Sequence, residues 1–165
     1  MKIKVKLLHP KCRLEKLKKG EWIDLRAAQN IVLDAPKIDV TSGEIIFDRC
    51  LVPLGIAIEL PKYFEANIVV RSSTFKTWQI IQSNGVGIID SSYCGDKDEW
   101  KLPIIAFAYR LISEGDRICQ FRIRPSQFAP WWVKLRWLFT TSFKIEYVDS
   151  LNNVNRGGFG KSGKN

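Results

Sequence analysis

The sequence predicts a single all-β domain over residues 1–165, and three observations lead to this prediction. Short runs rich in strand-forming residues recur at residues 32–33, 44–47, 56–60, 66–70 and 104–109. Proline, glycine, serine and aspartate separate these runs, a spacing typical of the short strands of a sandwich or barrel. No long segment with helical periodicity competes with them. The length is ordinary for one domain with a full hydrophobic core.

The beginning of the chain fits the same prediction. Residues 1–6 alternate basic and apolar side chains, which indicates a first strand rather than the continuous apolar core of a signal peptide. No apolar run approaches the roughly 20 residues needed to span a bilayer, so we expect a cytoplasmic protein without a membrane partner. The net charge of +9 favours a polyanionic partner such as nucleic acid, an anionic membrane or a nucleotide triphosphate.

The cysteine and histidine content excludes two classes of site. Four cysteines are scattered without the spacing of metal ligands, and the sequence contains a single histidine. A zinc site and a histidine-based catalytic triad are therefore not expected. We expect all four cysteines to be unpaired thiols in a reducing compartment.

Two segments stand apart from the strand pattern. Residues 130–139 form the one possible helix and carry three tryptophans and two basic residues. They could contact membrane or nucleic acid, but large aromatic side chains usually bury area, which favours packing on the barrel or a subunit contact. Residues 152–165 are glycine-rich, polar and basic, and this composition predicts a mobile tail.

Residues 84–96 are the most informative stretch. An apolar run stops at the carboxylate of Asp90, and Tyr93 follows three residues later between glycines. The flanking glycine, asparagine and serine predict a β-hairpin with both side chains near its mouth. A carboxylate and a tyrosine directly after an apolar strand are more typical of a small-molecule pocket than of a core strand.

Four further segments complete a pattern. They are Gly-Glu-Trp-Ile-Asp-Leu-Arg-Ala-Ala at 20–28, Val-Arg-Ser-Ser-Thr-Phe at 70–75, Gly-Asp-Arg-Ile-Cys-Gln-Phe at 115–121 and Arg-Gly-Gly-Phe-Gly-Lys-Ser-Gly at 156–163. With residues 84–96 they resemble, in order and spacing, the five motifs of the trimeric deoxyuridine triphosphatases (dUTPases). The Glu-Trp-Ile ahead of Asp24 resembles the branch found in Gram-positive bacteria and their phages.

The resemblance implies a fold and an assembly. The fold is the dUTPase-like distorted jelly-roll (β-clip) barrel, and the protein is expected to be a homotrimer. In the family each active site draws on three subunits, so that the third motif, the phosphate-binding motifs and the tail come from different chains.

The third motif (residues 84–96) implies the residues that contact the attacking water, the sugar and the uracil. By resemblance, Asp90 is the general base that activates the attacking water, and it contacts the sugar 3′-hydroxyl. Tyr93 would pack against the deoxyribose and leave no room for a 2′-hydroxyl. The groups expected to bind the uracil edge belong to Asn84, Gly87, Ile88 and Ile89.

Other motifs imply the phosphate and metal contacts. The expected phosphate-binding residues of the second and fourth motifs are Arg71, Ser72, Ser73 and Gln120. By resemblance, Asp24 helps to hold a hydrated Mg²⁺, which needs only one or two carboxylates besides phosphate oxygens. Asp116 and Arg117 are expected to form a structural ion pair that supports the site.

The fifth motif lies in the tail. The residues expected to contact the nucleotide are Arg156, Phe159, Gly160, Lys161 and Ser162. Arg156 would clamp the γ-phosphate and Phe159 would stack over the uracil. The family usually has serine or threonine where Lys161 stands; this lysine either contacts phosphate as a point charge or loosens the clamp.

The implied reaction is dUTP + water → dUMP + pyrophosphate, which keeps uracil out of DNA and supplies dUMP for dTMP synthesis. Three alternatives stay open: a related dCTP deaminase, a regulatory or moonlighting dUTP-binding protein of phage type, and a nucleic-acid-binding barrel. The last rests on charge and aromatic content alone, so nucleic acid is not the expected partner.

Overall fold

A computed structural model of the chain describes residues 1–15, 22–140 and 143–158. Within these ranges there are fourteen strands, two α-helices and a short 3-10 helix, Pro10–Cys12. The first seven strands are β1 (Lys2–Leu7), β2 (Ile23–Arg26), β3 (Ile31–Leu33), β4 (Lys37–Ile38), β5 (Ile45–Ile46), β6 (Arg49–Pro53) and β7 (Ile56–Glu59). The others are β8 (Phe64–Val70), β9 (Ile80–Gln82), β10 (Gly87–Asp90), β11 (Lys101–Ala106), β12 (Arg110–Ile112), β13 (Arg117–Pro125) and β14 (Lys144–Val148). The helices are α1 (Thr74–Trp78) and α2 (Trp131–Leu138).

The all-β prediction is confirmed, and the strands form several small sheets. A four-stranded sheet has the order β10-β8-β13-β2, and two three-stranded sheets have the orders β14-β1-β7 and β6-β11-β9. The pairs β12-β3 and β4-β5 form two further small sheets. Strand β14 pairs with β1 of the same chain in parallel, and the other pairs are antiparallel.

The core follows from the alternation of side chains along the strands. In β11 every second residue is buried, and in β1 the side chains of Ile3 and Val5 are fully buried. Because successive side chains of a strand point to opposite faces, each strand gives one face to the interior. Trp100 and Phe121 meet edge to face at the centre, with ring centroids 5.2 Å apart. Buried side chains of the larger sheets join one hydrophobic cluster.

The strand predicted at residues 104–109 begins and ends three residues too late in the sequence. Strand β11 ends at Ala106. There the chain leaves the sheet, and Phe107 donates its backbone N–H to the Gln79 carbonyl at 2.9 Å. The ring of Phe107 packs against Phe47, with centroids 5.2 Å apart. The apolar pattern continues through this turn, which is why strand propensity alone missed the end of the strand.

The β-hairpin predicted at residues 84–96 is wrong in its pairing. The turn is present, with Gly85 at φ 66°, and Asp90 does end a strand. The strands on either side of the turn belong to different sheets, since β10 pairs with β8 and β9 pairs with β11. Short-range turn signals cannot show that two neighbouring strands separate in this way.

The helix predicted at residues 130–139 is confirmed as α2. The ring of Trp137 packs against Phe64 on the body of the molecule, with centroids 5.5 Å apart. Trp131 and Trp132, by contrast, are 71% and 58% exposed. Packing on the barrel is therefore correct for Trp137, while a subunit contact by the exposed tryptophans stays a prediction. The five-residue helix α1 is too short to show a helical period in the sequence.

The helices and the cysteines bear on two further expectations, a membrane span and disulfide pairing. Among the described residues, no helix is long and apolar enough to cross a membrane. All four cysteines are free thiols, as predicted. Burial raises the pKa of Cys12 and that of Cys50 to about 11, so neither thiol is a nucleophile at neutral pH.

Candidate active site

A buried carboxylate in β2 holds two arginines, and we call this group the arginine cluster (Asp24, Arg71 and Arg117). The Asp24 side chain is only 6% exposed. Its Oδ1 lies 3.0 Å from Arg71 Nε and its Oδ2 lies 3.2 Å from Arg117 Nη1. The cluster carries one net positive charge. A guanidinium has five N–H donors, so both arginines retain donors that can bind an anion.

The position of Arg71 depends on a turn that Thr74 stabilises. Thr74 is fully buried; its Oγ1 accepts the Arg71 N–H at 3.1 Å and donates to the Ile118 carbonyl at 2.8 Å. This turn ends β8 and leaves Ser72 and Ser73 exposed beside Arg71. The structure thus brings the second-motif residues next to Asp24. Nothing in the sequence singles out Thr74, because a buried threonine has no distinctive spacing.

Gln120 belongs to the same end of the sheet. It lies opposite Asp24 of β2 and Val69 of β8 in the strand register. Residues opposite each other in antiparallel strands share a face, so Gln120 and Asp24 point to the same side. The predicted closeness of the first, second and fourth motifs therefore holds within one chain.

The ion pair predicted between Asp116 and Arg117 is wrong. Arg117 pairs with Asp24 instead, and the Asp116 carboxylate accepts the Ser113 N–H at 2.8 Å. Neighbouring residues at the start of a strand point to opposite sides, which separates the two charges. Asp116 therefore stabilises the turn before β13, and Arg117 belongs to the arginine cluster.

A second charged group, the base cluster (Asp90, Ser92 and Arg156), lies at the end of β10. The Asp90 Oδ1 accepts the Ser92 N–H at 2.8 Å and also the Ser92 hydroxyl. Its Oδ2 lies 2.9 Å from Arg156 Nη1. Partial burial opposes ionisation, but the Ser92 and Arg156 hydrogen bonds outweigh it and hold the pKa of Asp90 below its ordinary value. Asp90 is thus an ionised, half-exposed carboxylate at neutral pH.

The expected uracil-binding residues line an open strand edge. Among the described strands only β8 pairs with β10, so every second residue of Gly87–Asp90 directs both its N–H and its C=O away from the sheet. At the preceding turn, the Asn84 Oδ1 accepts a hydrogen bond from Gln82 Nε2 at 2.8 Å. This bond orients the Asn84 side chain and leaves its amide N–H donors for other partners.

Tyr93 follows in the loop between β10 and β11 (the β10–β11 loop, residues 91–100). Its hydroxyl donates to the Glu99 carbonyl at 3.0 Å, which fixes the ring. Gly158 lies against this ring, since a Cβ there would be 3.2 Å from Tyr93 Cε2. The remaining expected contacts of the fifth motif, Phe159, Gly160, Lys161 and Ser162, lie outside the described residues.

Asp98, like Thr74, has a role that the sequence did not indicate. It is 1% exposed and accepts backbone N–H groups from Cys94, Gly95, Arg156 and Gly157. Burial alone would raise its pKa, but these four hydrogen bonds keep the pKa of Asp98 below its ordinary value. In the sequence Asp98 stands in an acidic run, which has the composition of an ordinary solvated loop.

The two charged clusters lie far apart in one chain. In the sheet register Asp90 is level with Glu65 of β8, whereas Asp24 and Gln120 are level with Val69. Four residues correspond to about 13 Å along the strands, and the three strand spacings from β10 to β2 add about 14 Å sideways. Asp90 and Asp24 are therefore roughly 19 Å apart, so one small ligand cannot contact both clusters of the same chain.

The side chains that the structure describes do not form a metal cage by themselves. Among residues 1–15, 22–140 and 143–158 there is no group of three or more His, Cys, Asp or Glu residues that could hold an ion. Asp24 offers one carboxylate, and both of its oxygens face guanidinium groups. Such a donor set fits only a hydrated Mg²⁺ that is held by phosphate oxygens and water, with Asp24 as a partner of a bound water at most.

These features define a β-rich protein with a cationic cluster suited to an anionic ligand. The chain is 40% identical, over 99% of both proteins, to the SPbeta prophage-derived deoxyuridine 5′-triphosphate nucleotidohydrolase YosS of Bacillus subtilis. It is 34% identical to the deoxyuridine 5′-triphosphate nucleotidohydrolase of Maricaulis maris over 86% of this chain and 80% of the relative. The chain belongs to the dUTPase family. No family model matches it.

Solved structures agree on the fold. The dUTPase from Streptococcus mutans superimposes with a TM-score of 0.64 over 76% of this chain and 98% of the other, at 16% identity. The dUTPase from phage phi11 of S. aureus gives a TM-score of 0.60 over 78% of this chain and 92% of the other, at 18% identity. The expected dUTPase-like fold is thereby confirmed.

The base cluster yields a prediction about Ser92. Replacing Ser92 by alanine removes the hydroxyl donor to Asp90, so the pKa of Asp90 should rise toward its ordinary value. Carboxyl NMR titration of Asp90 measures this directly, with Ser91→Ala as the matched control. Because the folded-state pKa is lowered, Asp90 contributes stability above its unfolded pKa, and this contribution disappears as pH falls through the folded pKa. An unchanged Asp90 titration in Ser92→Ala would contradict the assignment of the cluster.

Proposed function

We propose that this protein hydrolyses dUTP to dUMP and pyrophosphate, with Asp90 as the general base. The observation that carries the proposal is the ionised Asp90 carboxylate, which Ser92 and Arg156 hold beside the open edge of β10. A positioned base of this kind typically accelerates a reaction about 10²–10⁴-fold. Asp90 accepts the proton of a water molecule as that water attacks the α-phosphorus, and pyrophosphate leaves.

The edge of β10 would select the nucleobase of the nucleotide. Uracil presents alternating carbonyl and N–H groups, and the outward main-chain groups of Gly87, Ile88 and Ile89 offer the complementary pattern. The Asn84 side chain, held by Gln82, adds donors at the end of this edge. Cytosine would leave buried partners unpaired, which a site of this type rejects strongly. Tyr93, with its ring fixed by Glu99, would pack on the deoxyribose and exclude a 2′-hydroxyl.

The arginine cluster would bind the triphosphate. Arg71 is oriented by Asp24 and by the Arg117 carbonyl, which accepts from Arg71 Nη1 at 3.2 Å. With Ser72 and Ser73 beside it, it would contact the α- and β-phosphates, and Gln120 lies at the same end of the sheet. Arg156, at the start of the fifth motif, would take the γ-phosphate.

Magnesium would be required for this reaction. Asp24 would hold the hydrated ion, which when bound neutralises phosphate charge. The chain's own contribution is to orient the phosphates through Arg71 and to exclude water with the tail.

We also propose a homotrimer, because one chain does not bring its two clusters together. The roughly 19 Å between Asp90 and Asp24 exceeds the reach of a single reacting phosphate group. In a cyclic trimer, the base cluster of one chain meets the arginine cluster of the next, and every site is complete. The tail (residues 152–165) would close the site, and the whole chain would act as one domain in the cytoplasm of a bacterial or phage-infected cell.

Pyrophosphate release tests the function. With Mg²⁺ the wild type should release pyrophosphate from dUTP and not from dCTP, dTTP or UTP. Asp90→Asn should lower kcat by about 100-fold or more while dUTP binding stays within a few-fold, because the amide retains the shape but cannot accept a proton. Asp34→Asn, a change of an exposed carboxylate that pairs with Lys37, is the matched control.

Two results would contradict the proposal. Wild-type-like turnover in Asp90→Asn would show that Asp90 is not the base. Absence of pyrophosphate release from any of the four nucleotides would reject dUTP hydrolysis itself.

A further inference from the structure

We propose that Gln82 is a positioning residue for the choice of uracil over cytosine, because it fixes which end of the Asn84 amide faces the nucleobase. The inference rests on the proposed dUTP hydrolysis and adds a determinant of its substrate selectivity. Gln82 ends β9, and Asn84 lies two residues later in the exposed turn before β10. Gln82 is only 8% exposed, so it acts through Asn84 rather than by contact with the nucleotide.

A main-chain carbonyl fixes the orientation of the Gln82 amide. Gln82 Nε2 donates to the Ile68 carbonyl of β8 at 3.2 Å and to Asn84 Oδ1 at 2.8 Å. Because a carbonyl can only accept, the nitrogen of the Gln82 amide, and not its oxygen, must face Ile68. The same nitrogen also faces Asn84, where it can bind only the oxygen of that side chain. The Ile68 carbonyl therefore determines the orientation of two side-chain amides in series.

The Asn84 side chain consequently offers a donor to a ligand. It lies in an exposed turn, and its Nδ2 carries two N–H groups that the bond to Gln82 does not use. The two ends of an asparagine amide have nearly the same shape, and rotation about its last side-chain bond is roughly two-fold. Without Gln82 the two ends could exchange places. Gln82 thus decides whether position 84 presents an N–H donor or an oxygen acceptor.

Packing alone does not explain a glutamine at position 82. Among the residues that the structure describes, Gln82 Oε1 has no hydrogen-bond partner. A buried acceptor without a partner lowers stability, and methionine or leucine would fill this space without one. The space is also narrow, because a Cβ on Gly87 would lie 3.3 Å from Gln82 Nε2. The two hydrogen bonds that Nε2 donates are what account for the polar side chain.

The position of Asn84 along β10 indicates which part of the nucleobase it meets. Asp90 ends β10 and Tyr93 follows it, and these are the proposed contacts of the sugar. Asn84 precedes β10, at the opposite end of the same strand. In a pyrimidine nucleotide the sugar is attached to N1, and the group on C4 lies across the ring from it. Asn84 is therefore placed to meet the group on C4.

Uracil and cytosine differ in this group. Uracil carries the carbonyl oxygen O4, which accepts from Asn84 Nδ2, whereas cytosine carries an amino group, which donates. Two donors that face each other both stay unpaired, and a site of this type rejects such a ligand strongly. A reversed Asn84 would accept from the amino group of cytosine and repel O4 of uracil. The hydrogen bond from Gln82 thus favours uracil by preventing this reversal.

The ratio of kcat/KM for dUTP to kcat/KM for dCTP tests the inference. Gln82→Met keeps an unbranched side chain of similar length but removes the donor, so Asn84 can adopt both orientations. We expect the ratio to fall by about tenfold or more, through a lower kcat/KM for dUTP without a matching loss for dCTP. Ser83→Ala, a change of the exposed residue between the two, is the matched control. Gln82→Leu replaces Gln82→Met if the latter fails to fold.

Variants of Asn84 test the contact with C4. In Asn84→Asp one carboxylate oxygen still accepts from Gln82, and the other faces the nucleobase as an acceptor. The ratio should fall further in Asn84→Asp than in Asn84→Ala, because the added oxygen repels O4 and accepts from the amino group of cytosine. Equal ratios in the two variants would overturn the contact with C4.

A double-mutant cycle tests whether Gln82 acts through Asn84. In an Asn84→Ala chain, Gln82→Met should change the ratio by less than about twofold, because no amide remains to be oriented. A further tenfold fall in that chain would overturn the positioning role. An unchanged ratio in Gln82→Met alone, or equal losses of kcat/KM for dUTP and dCTP, would also overturn it, since a purely structural change affects both nucleotides alike.

Binding separates this inference from the proposed hydrolysis. Calorimetric titration with dUMP and with dCMP measures the preference for the nucleobase without turnover. A wild type that prefers dUMP but releases no pyrophosphate would reject the hydrolysis, and loss of that preference in Gln82→Met would still support the role of Gln82. A wild type that hydrolyses dUTP selectively, with the same preference for dUMP in Gln82→Met, would overturn this inference alone. A wild type that binds neither nucleotide would overturn both.

Discussion

The register of β8 with its neighbours is the constraint on which the rest of the structure depends. One end of this strand pairs with the end of β10 that carries Asp90, and the other end leads into the turn that carries Arg71. Because the strands are antiparallel and in fixed register, the two clusters cannot approach each other without breaking the sheet. The same sheet therefore keeps the two clusters of one chain roughly 19 Å apart.

Both clusters contain a carboxylate that orients arginine through an ion pair, but the two carboxylates differ in their exposure to solvent. In the arginine cluster Asp24 is buried and its two partners leave donors free, so the group presents positive charge to an anion. In the base cluster Asp90 is half-exposed, and its partners stabilise the ionised form without covering it. Burial thus distinguishes the two carboxylates: Asp24 is enclosed by its partners, while Asp90 stays accessible from solvent.

The strand-rich fold could be predicted from the sequence, because short runs of strand formers separated by turn residues are distinctive. The candidate site residues, such as Asp90 and Arg71, came from the resemblance to the family motifs. The sequence did not show that β9 and β10 separate into different sheets, or that Arg117 pairs with Asp24 rather than Asp116. The first depends on strand pairings between residues 19 to 26 positions apart, and the second on a contact between residues 93 positions apart. Asp98 was missed for the same reason, since its role exists only once residues 156 and 157 fold onto the loop.

The measurement that tests the central claim most directly is dUTP turnover per chain across a dilution series, with the oligomeric state measured by sedimentation velocity at the same concentrations. A site shared between chains predicts that turnover per chain falls in proportion to the fraction of chains left in trimers. Monomers that retain the full turnover per chain would contradict the account, because each chain would then form a complete site by itself.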